Sequence, residues 1–247
     1  MKLVVAGSTG FVATEVIRQA LSIPAITSAV ALGRRDVPAP ENSGPATDGA
    51  KLKSVVCENW EEYSDSVKQE LAGADACIWT IAITPSKPKT APWETVCKVC
   101  RDYAVTGIET MSQLRGRNSD TDKQPFRFVY ISGTASQRDP AQKPRLLGDY
   151  SLLRGEAETR ILDFAAKSQG AVAACVAKPG IISSPAKPTP LMRQAFYAVI
   201  GLPKLQVAEI AAALLDQVAR GFDKDTLENA DLERIGQKAL QEAAADA

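Results

Sequence analysis

The sequence predicts a single α/β domain, residues 1–247, built on a doubly wound parallel sheet that is flanked by helices. Short apolar runs alternate with longer amphipathic runs, which is the pattern of βαβ units. The apolar runs are dense in Val, Ile and Ala without clean alternation, as is typical of strands covered on both faces. A glycine-rich turn follows the first run directly, where such sheets bind nucleotides.

The elements follow in an order that fits this fold. Strands are predicted at 2–6, 28–32, 52–56, 76–83, 126–132 and 171–177. Helices are predicted at 11–21, 60–71, 93–115, 150–168 and 207–220. The sequence β-α-β, a long loop, then β-α-β-α-β-α-β is that of a doubly wound sheet.

Three segments rich in Pro, Gly and Ser follow predicted strands, at 36–49, 84–92 and 183–190. They fit ligand-binding loops and plain surface loops about equally. We expect 183–205 to form a substrate-side loop or lid, and 222–247 to form the C-terminal segment. The apolar stretch 191–202 fits a core segment or a homodimer contact better than a lid.

Composition excludes several classes of function. The 29 acidic and 29 basic residues balance, so no field favours nucleic acid. The apolar run at the N-terminus is too short for a signal peptide, and no stretch reaches the roughly 18–20 residues of a membrane span. The sequence therefore predicts a soluble, cytoplasmic protein without a nucleic-acid partner.

The chain has no histidine, which removes catalysis by Ser-His or Cys-His pairs and histidine-ligated metals. Its five cysteines are an odd, scattered set. Cys97 and Cys100 form a C-x-x-C inside a predicted helix, with no second ligand pair. We expect no metal and favour a structural role for these thiols over redox or metal chemistry.

The turn after the first strand carries the spacing G-x-x-G-x-x-A, which predicts a phosphate-binding turn. The first glycine permits a tight turn, the second lets the backbone approach a pyrophosphate, and helix N–H groups face the anion. A purely structural turn is the alternative. The cofactor-binding residues predicted here are Gly7, Ser8, Thr9, Gly10, Phe11 and Val12.

The second strand ends in Arg34 and Arg35. An NAD site usually offers an acidic residue at this point, whereas cations accommodate the 2′-phosphate of NADP. Two adjacent arginines can hold that phosphate by charge and fork geometry, and Asp36 follows too late to fill the acidic role. The pattern favours NADP(H), with a solvated surface pair as the alternative.

The catalytic candidates follow the fifth strand. Tyr150 lies on the next helix, where its phenol can give or take a proton, and Arg154 lies four residues on, on the same helix face. A cation there favours the phenolate, although arginine will not release a proton as lysine can. Ser132 and Thr134 are each candidates to anchor a substrate oxygen, and spacing does not choose between them.

Taken together, these segments resemble an atypical short-chain dehydrogenase/reductase, in particular the Tat-interacting-protein group. The resemblance covers nearly the whole chain. It rests on Gly-Ser-Thr-Gly-Phe at 7–11, Leu-Gly-Arg-Arg at 32–35, Arg-Asp-Tyr at 101–103, Tyr150, Gly-Glu at 155–156, Lys-Pro-Gly at 178–180 and Leu-Glu-Asn-Ala at 227–230.

This resemblance implies a Rossmann fold with NADP(H) along the glycine turn and the arginine pair. It places nicotinamide near Ala82 to Thr84 and near Pro179, Gly180 and Ile181. The family pattern has Arg-Pro-Gly where this chain has Lys178-Pro179-Gly180, and lysine where this chain has Arg154. Some members of the family act as cofactor-bound regulators rather than enzymes.

Two functions fit the sequence. The favoured one is an NADP(H)-dependent reductase of a carbonyl or enone in a small organic molecule, with Tyr150 as the acid and Arg154 as its electrostatic support. The alternative is a non-catalytic NADP(H)-binding regulatory or protein-interaction module. The occupied tyrosine position favours the enzyme, and the replacement of lysine by arginine favours the regulator.

Overall fold

The computed structural model describes residues 1–40, 48–84, 91–115, 124–184 and 202–245. These residues form a single α/β domain around a seven-stranded parallel sheet with helices on both faces. The predicted fold class is therefore confirmed. In the described part of the chain, no helix is both long and apolar enough to cross a bilayer.

The sheet has the strand order β3-β2-β1-β4-β5-β6-β9, and all its neighbouring strands are parallel. Its strands are β1 (Lys2–Ala6), β2 (Ser28–Gly33), β3 (Leu52–Val56), β4 (Ala76–Trp79), β5 (Phe126–Ile131), β6 (Val172–Lys178) and β9 (Thr226–Glu228). Two short strands, β7 (Ile181–Ser183) and β8 (Lys204–Gln206), pair separately.

The helices are α1 (Phe11–Ala20), α2 (Asp65–Leu71), α3 (Trp93–Cys97), α4 (Tyr103–Leu114), α5 (Gly148–Lys167), α6 (Val207–Arg220) and α7 (Asn229–Ala245). A π-helical turn (Lys98–Asp102) joins α3 to α4. Helix α6 begins with a capping box, in which Gln206 and Glu209 satisfy each other's backbone N–H groups.

The sheet is buried on both faces because alternate residues of each strand point to opposite sides. On β1, Leu3 and Val5 face α1, α6 and α7, whereas Val4 faces α2, α4 and α5. Trp79 is fully buried on the second side, where its ring packs edge-on against Trp60, with 5.7 Å between centroids. Full burial of such side chains stabilises a fold by about 1.5–3 kcal/mol each.

Two predicted elements are shorter in the structure. The strand predicted at 76–83 ends at Trp79, after which the Thr80 hydroxyl donates to the Ala6 carbonyl at 2.8 Å. The helix predicted at 60–71 begins only at Asp65, capped by Ser64. The apolar residues before it were misleading, since Trp60 is buried as a loop residue and not as part of a helical face.

The C-terminal segment 222–247 supplies regular structure that the sequence did not predict. Strand β9 pairs with β6, and α7 packs on α6 through Leu232 and Ile235. The helices approach closely because Gly236 has no Cβ, which would collide with the Glu209 carbonyl. Most of the predicted loop 183–205 and of the apolar stretch 191–202 lies outside the described residues.

Candidate active site

The predicted site residues converge on the carboxyl edge of the sheet. The strand order reverses between β1 and β4, and in open α/β sheets the crevice at such a reversal binds ligands. The turn after β1 and the residues after β4 flank this crevice directly. The segments after β2, β5 and β6 lie along the same edge.

The glycine turn after β1 is held in a conformation that only glycine adopts without strain. Gly7 has φ +89°, and its N–H donates to the Leu32 carbonyl at 2.8 Å. A Cβ on Gly7 would lie 2.5 Å from the Thr80 hydroxyl oxygen. The Gly10 N–H closes the turn on the Gly7 carbonyl at 2.8 Å. Gly7 therefore packs the turn after β1 against both the end of β2 and the residue that follows β4.

Helix α1 starts at the crevice with its positive end uncovered by its own side chains. Its N-cap, Gly10, is extended and offers no side-chain cap, and the first turn has no acidic residue. Phe11 is exposed to 41 %, which is unusual for a phenylalanine. An uncapped N-terminus after a glycine turn suits an anion such as a pyrophosphate.

Ser8 places a polar atom where the turn meets the end of β2. Its side chain is buried, and its hydroxyl has no hydrogen-bond partner among the described residues. The hydroxyl sits against Gly33, where a Cβ would collide with it. Because buried hydroxyls are nearly always bonded, this one can bond a water molecule or a polar atom of a ligand.

Arg34 and Arg35 follow Gly33 and are both exposed. Among the described residues neither forms a salt bridge or a side-chain hydrogen bond, although most other arginines there do. Two uncommitted guanidinium groups at the end of β2 can hold a phosphate bidentately.

The segment after β4 is tied to the π-helical turn by a thiol. The buried Cys100 accepts a hydrogen bond from the Ile83 N–H at 3.3 Å. This bond fixes the backbone between Ala82 and Thr84, the predicted nicotinamide side. Residues 85–90 of the predicted loop 84–92 lie outside the described residues, as do 41–47 of the loop 36–49.

Arg154 is buried to 97 % and is turned into the protein. Its guanidinium donates to the carbonyls of Ile131 and Cys100, the latter at 3.4 Å, and lies 4.7 Å from the centroid of the Tyr130 ring. The Tyr130 hydroxyl donates to the same Cys100 carbonyl at 2.7 Å. Arg154 thus joins the end of β5 to the π-helical turn.

Tyr150 is partly exposed near the start of α5, one helical turn before Arg154. Burial raises the pKa of Tyr150 to about 12, against the lowering effect of the Arg154 guanidinium. The phenol is therefore protonated at neutral pH. As a proton donor it needs no change of state, whereas as a base it would need strong assistance.

Both predicted hydroxyl anchors make internal hydrogen bonds. Ser132 donates to the fully buried Glu158 at 2.5 Å, and its oxygen lies 2.8 Å from that of Ser136. The Thr134 hydroxyl donates to the Lys178 carbonyl at 3.1 Å. Thr134 thereby links the loops after β5 and β6, and Ser132 links the first of these loops to α5.

The turn after β6 depends on the C-terminal region. The Gly180 N–H donates to the Asn229 side chain at 2.9 Å, and the Ile181 N–H donates to the Pro203 carbonyl at 2.8 Å. A Cβ on Gly180 would collide with that Pro203 carbonyl. The glycine after Pro179 is thus required by close packing, which the sequence alone could not decide.

The structure brings the predicted residues to one edge and adds others that the sequence analysis missed. The sequence analysis did not predict a role in the site for Thr80 or Glu158, although one sequence pattern points to Glu158. Tyr150, Arg154 and Glu158 recur every four residues, so they form one polar stripe along the helix. The described cysteines are all free, and no cluster of three or more metal-ligating side chains occurs in the described ranges.

Comparisons with known proteins support the fold. No family model and no curated protein matches the sequence. Solved structures do match. DesIV, a dTDP-glucose 4,6-dehydratase from Streptomyces venezuelae solved with NAD, is 14 % identical with a TM-score of 0.66, covering 98 % of this chain and 81 % of its own.

Two further structures give the same result. Vestitone reductase from alfalfa is 20 % identical with a TM-score of 0.64, covering 92 % of this chain and 76 % of its own. MoeE5, solved with UDP-glucuronic acid and NAD, is 17 % identical with a TM-score of 0.65, covering 92 % and 75 %. The fold is Rossmann-like. At these identities the likeness extends to the fold alone.

Proposed function

We propose that this chain is an NADP(H)-dependent oxidoreductase of the short-chain dehydrogenase/reductase type, reducing a carbonyl or enone of a small organic molecule. The observation that carries the proposal is the glycine turn at the strand-order reversal, with Tyr150 on the same edge of the sheet. Solved structures of the same fold, DesIV and MoeE5, were determined with NAD bound.

The residues present fit a dinucleotide. The crowded Gly7 turn and the uncapped start of α1 would hold the pyrophosphate, and the unpartnered Ser8 hydroxyl would meet a polar atom nearby. Ala82 to Thr84 and Pro179 to Ile181 would flank the nicotinamide, which when bound supplies or takes the hydride.

NADP(H) is favoured over NAD(H) by the end of β2. Arg34 and Arg35 are exposed and make no ion pair within the described ranges, so a 2′-phosphate would meet two available guanidinium groups. The known neighbours solved with NAD do not decide this point, because their sequences are too distant.

The proton needed for reduction would come from Tyr150. Its phenol is protonated at neutral pH and partly exposed at the crevice edge. Arg154, whose guanidinium is held by two carbonyls, would stabilise the phenolate that remains by its charge and not by exchanging a proton, since an arginine stays protonated. Reprotonation of Tyr150 would then come from solvent.

A second function, a non-catalytic NADP(H)-binding regulator, is favoured by one observation. The other candidate catalytic residues are already bonded inside the protein, because Ser132 donates to Glu158 and Thr134 and Arg154 donate to backbone carbonyls. The resemblance to the Tat-interacting-protein group fits this reading as well. Segments 183–205 and 222–247 would then serve a partner or a homodimer instead of a substrate, in a cytoplasmic protein.

Parallel titrations of NADPH and NADH test the proposal, followed by NADPH consumption over a panel of carbonyl compounds. We expect tight binding of NADPH, weaker binding of NADH, and turnover that Tyr150→Phe abolishes. NADPH binding in both proteins without turnover would favour the regulator. Failure to bind either nucleotide would overturn both functions.

The arginine pair has its own expected outcome. Arg34→Ala with Arg35→Ala should weaken NADPH binding by about 10- to 100-fold, because two charge-assisted contacts are lost. Binding of NADH, which lacks the 2′-phosphate, should stay within about twofold. Arg160→Ala, at an exposed ion pair on α5, is the matched control and should change neither.

A further inference from the structure

Glu158 is a charged residue that the proton step does not use, yet its carboxylate is completely buried. It lies on α5, one helical turn after Arg154, and its side chain faces the ends of β5 and β6. Removing a carboxylate from water is costly unless cations and hydrogen bonds replace the water. Its contacts therefore show what the position is built to do.

Two cations and one hydroxyl surround the Glu158 carboxylate. Arg138 Nε donates to Oε2 at 2.7 Å, and Lys178 Nζ lies 3.8 Å from the same oxygen. The other oxygen, Oε1, accepts from Ser132 Oγ at 2.5 Å. A carboxylate paired with two cations has no proton to give, so it can only accept from Ser132.

The hydrogen-bonding capacity of Ser132 follows by counting. A hydroxyl has one proton and two lone pairs. The proton goes to Glu158, so Ser136, whose oxygen lies 2.8 Å away, must donate to Ser132 and use one lone pair. Ser132 retains one lone pair and no proton for a ligand.

We propose that Glu158 is a positioning residue that makes Ser132 a hydrogen-bond acceptor, so that the group bound beside Ser132 is a hydroxyl and not a carbonyl oxygen. The inference rests on the proposed function for the place of the substrate. Tyr150, which carries a proton, faces the carbonyl form of the substrate. Ser132 accepts a hydrogen bond from the hydroxyl of the alcohol form, and the substrate pair is a carbonyl compound and its alcohol.

Steady-state kinetics distinguish a Ser132 that accepts from a hydroxyl from one that donates to a carbonyl. The two substrates are a ketone that the NADPH assay identifies and the corresponding secondary alcohol. Ser132→Ala should raise the KM for the alcohol about five- to tenfold, the value of one lost hydrogen bond. The KM and kcat for the ketone should change by less than about twofold. A larger loss on the ketone than on the alcohol would overturn the proposal.

Glu158→Gln tests the positioning directly. With Arg138 still donating to the side-chain oxygen, the Gln amide donates to Ser132. The hydroxyl proton of Ser132 then no longer bonds to residue 158 and can be donated to a ligand. The preference should then reverse, with the KM raised for the alcohol and lowered for the ketone. A purely structural Glu158 would lower both activities together, and that result would contradict the proposal. Glu156→Gln, at an exposed ion pair two residues earlier, is the control.

A readout without nucleotide or substrate keeps this proposal separate from the proposed function. Neutron diffraction from crystals of the deuterated wild type should place the Ser132 deuterium on the line to Glu158. Thr134, whose deuterium should point to the Lys178 carbonyl, is the internal reference. A Ser132 deuterium directed into the crevice would overturn the inference, whether or not the protein reduces any ketone.

Discussion

The two halves of the carboxyl edge differ in how their polar groups are satisfied. On the β1–β2 side, the Ser8 hydroxyl and the Arg34 and Arg35 guanidinium groups find no partner among the described residues. On the β5–β6 side, Ser132, Thr134, Arg154 and Glu158 bond to one another or to nearby carbonyls. Within the described ranges, the first side leaves its polar groups without internal partners, whereas the polar groups of the second side are already bonded within the protein.

This contrast indicates which side tolerates change. Polar groups without an internal partner contribute little to the stability of the free protein, so replacing them should change ligand binding and leave the free energy of unfolding unchanged. Groups that satisfy each other in the interior should affect stability first, because a lost partner leaves a buried polar atom unpaired.

The largest expected effect is on binding, at the glycine turn. Gly7→Ala places a Cβ 2.5 Å from the Thr80 hydroxyl at φ +89°, so the turn must move. We expect NADPH affinity to fall by at least about 100-fold, measured by nucleotide fluorescence. Gly73→Ala, at φ +69° in open space, carries the same kind of backbone cost without the collision. Equal losses in both variants would contradict the role of the collision.

The next effect is on stability, at Arg154. Arg154→Met removes the donors that satisfy the Ile131 and Cys100 carbonyls, and the free energy of unfolding should fall by about 2–4 kcal/mol. Urea denaturation measures the change. Arg160→Met, at a half-exposed pair, should cost less than about 0.5 kcal/mol. An unchanged free energy of unfolding in Arg154→Met would show that the hydrogen bonds of Arg154 to the two carbonyls do not stabilise the fold.

The smallest effect concerns the pKa of Tyr150. Because burial raises this pKa to about 12 from an ordinary value near 10, the fold binds the phenolic proton more tightly than the unfolded chain does. That contribution to stability is complete below pH 10 and is lost as the pH rises toward 12. Tyr150→Phe should therefore lose less stability than the wild type over this range.

Ultraviolet titration at 295 nm provides an independent check on the same phenol. The difference between wild type and Tyr150→Phe should show a transition near pH 12 and none near pH 10. A Tyr150 transition at or below pH 10 would mean that the Arg154 charge outweighs burial, and would restore Tyr150 as a base.

Local patterns explain most of what could be predicted from the sequence. The glycine turn, the end of β2 and the Tyr150–Arg154 spacing depend on neighbouring residues, and the structure has each in its expected element. The start of α2 was predicted wrongly because the apolar Trp60 fits the spacing of a helical face. In the structure Trp60 lies in a loop and is buried by tertiary packing.

Pairings between distant residues could not be predicted. Ser132 and Glu158 are 26 positions apart, and nothing in either segment indicates that one accepts from the other. The same holds for strand β9, a three-residue strand that is defined only by its pairing with β6. Such contacts depend on the packed fold, whereas a sequence pattern reports a residue's own turn or face.

The contact between Gly180 and Asn229 also has a consequence for the order in which the protein forms during synthesis. The two residues lie 49 positions apart, so the turn after β6 has no Asn229 partner until the ribosome has passed that point. The glycine turn, β1, β2 and β4 are complete some 150 residues earlier, within the first 79. A growing chain would therefore complete its glycine turn first and close the turn after β6 last.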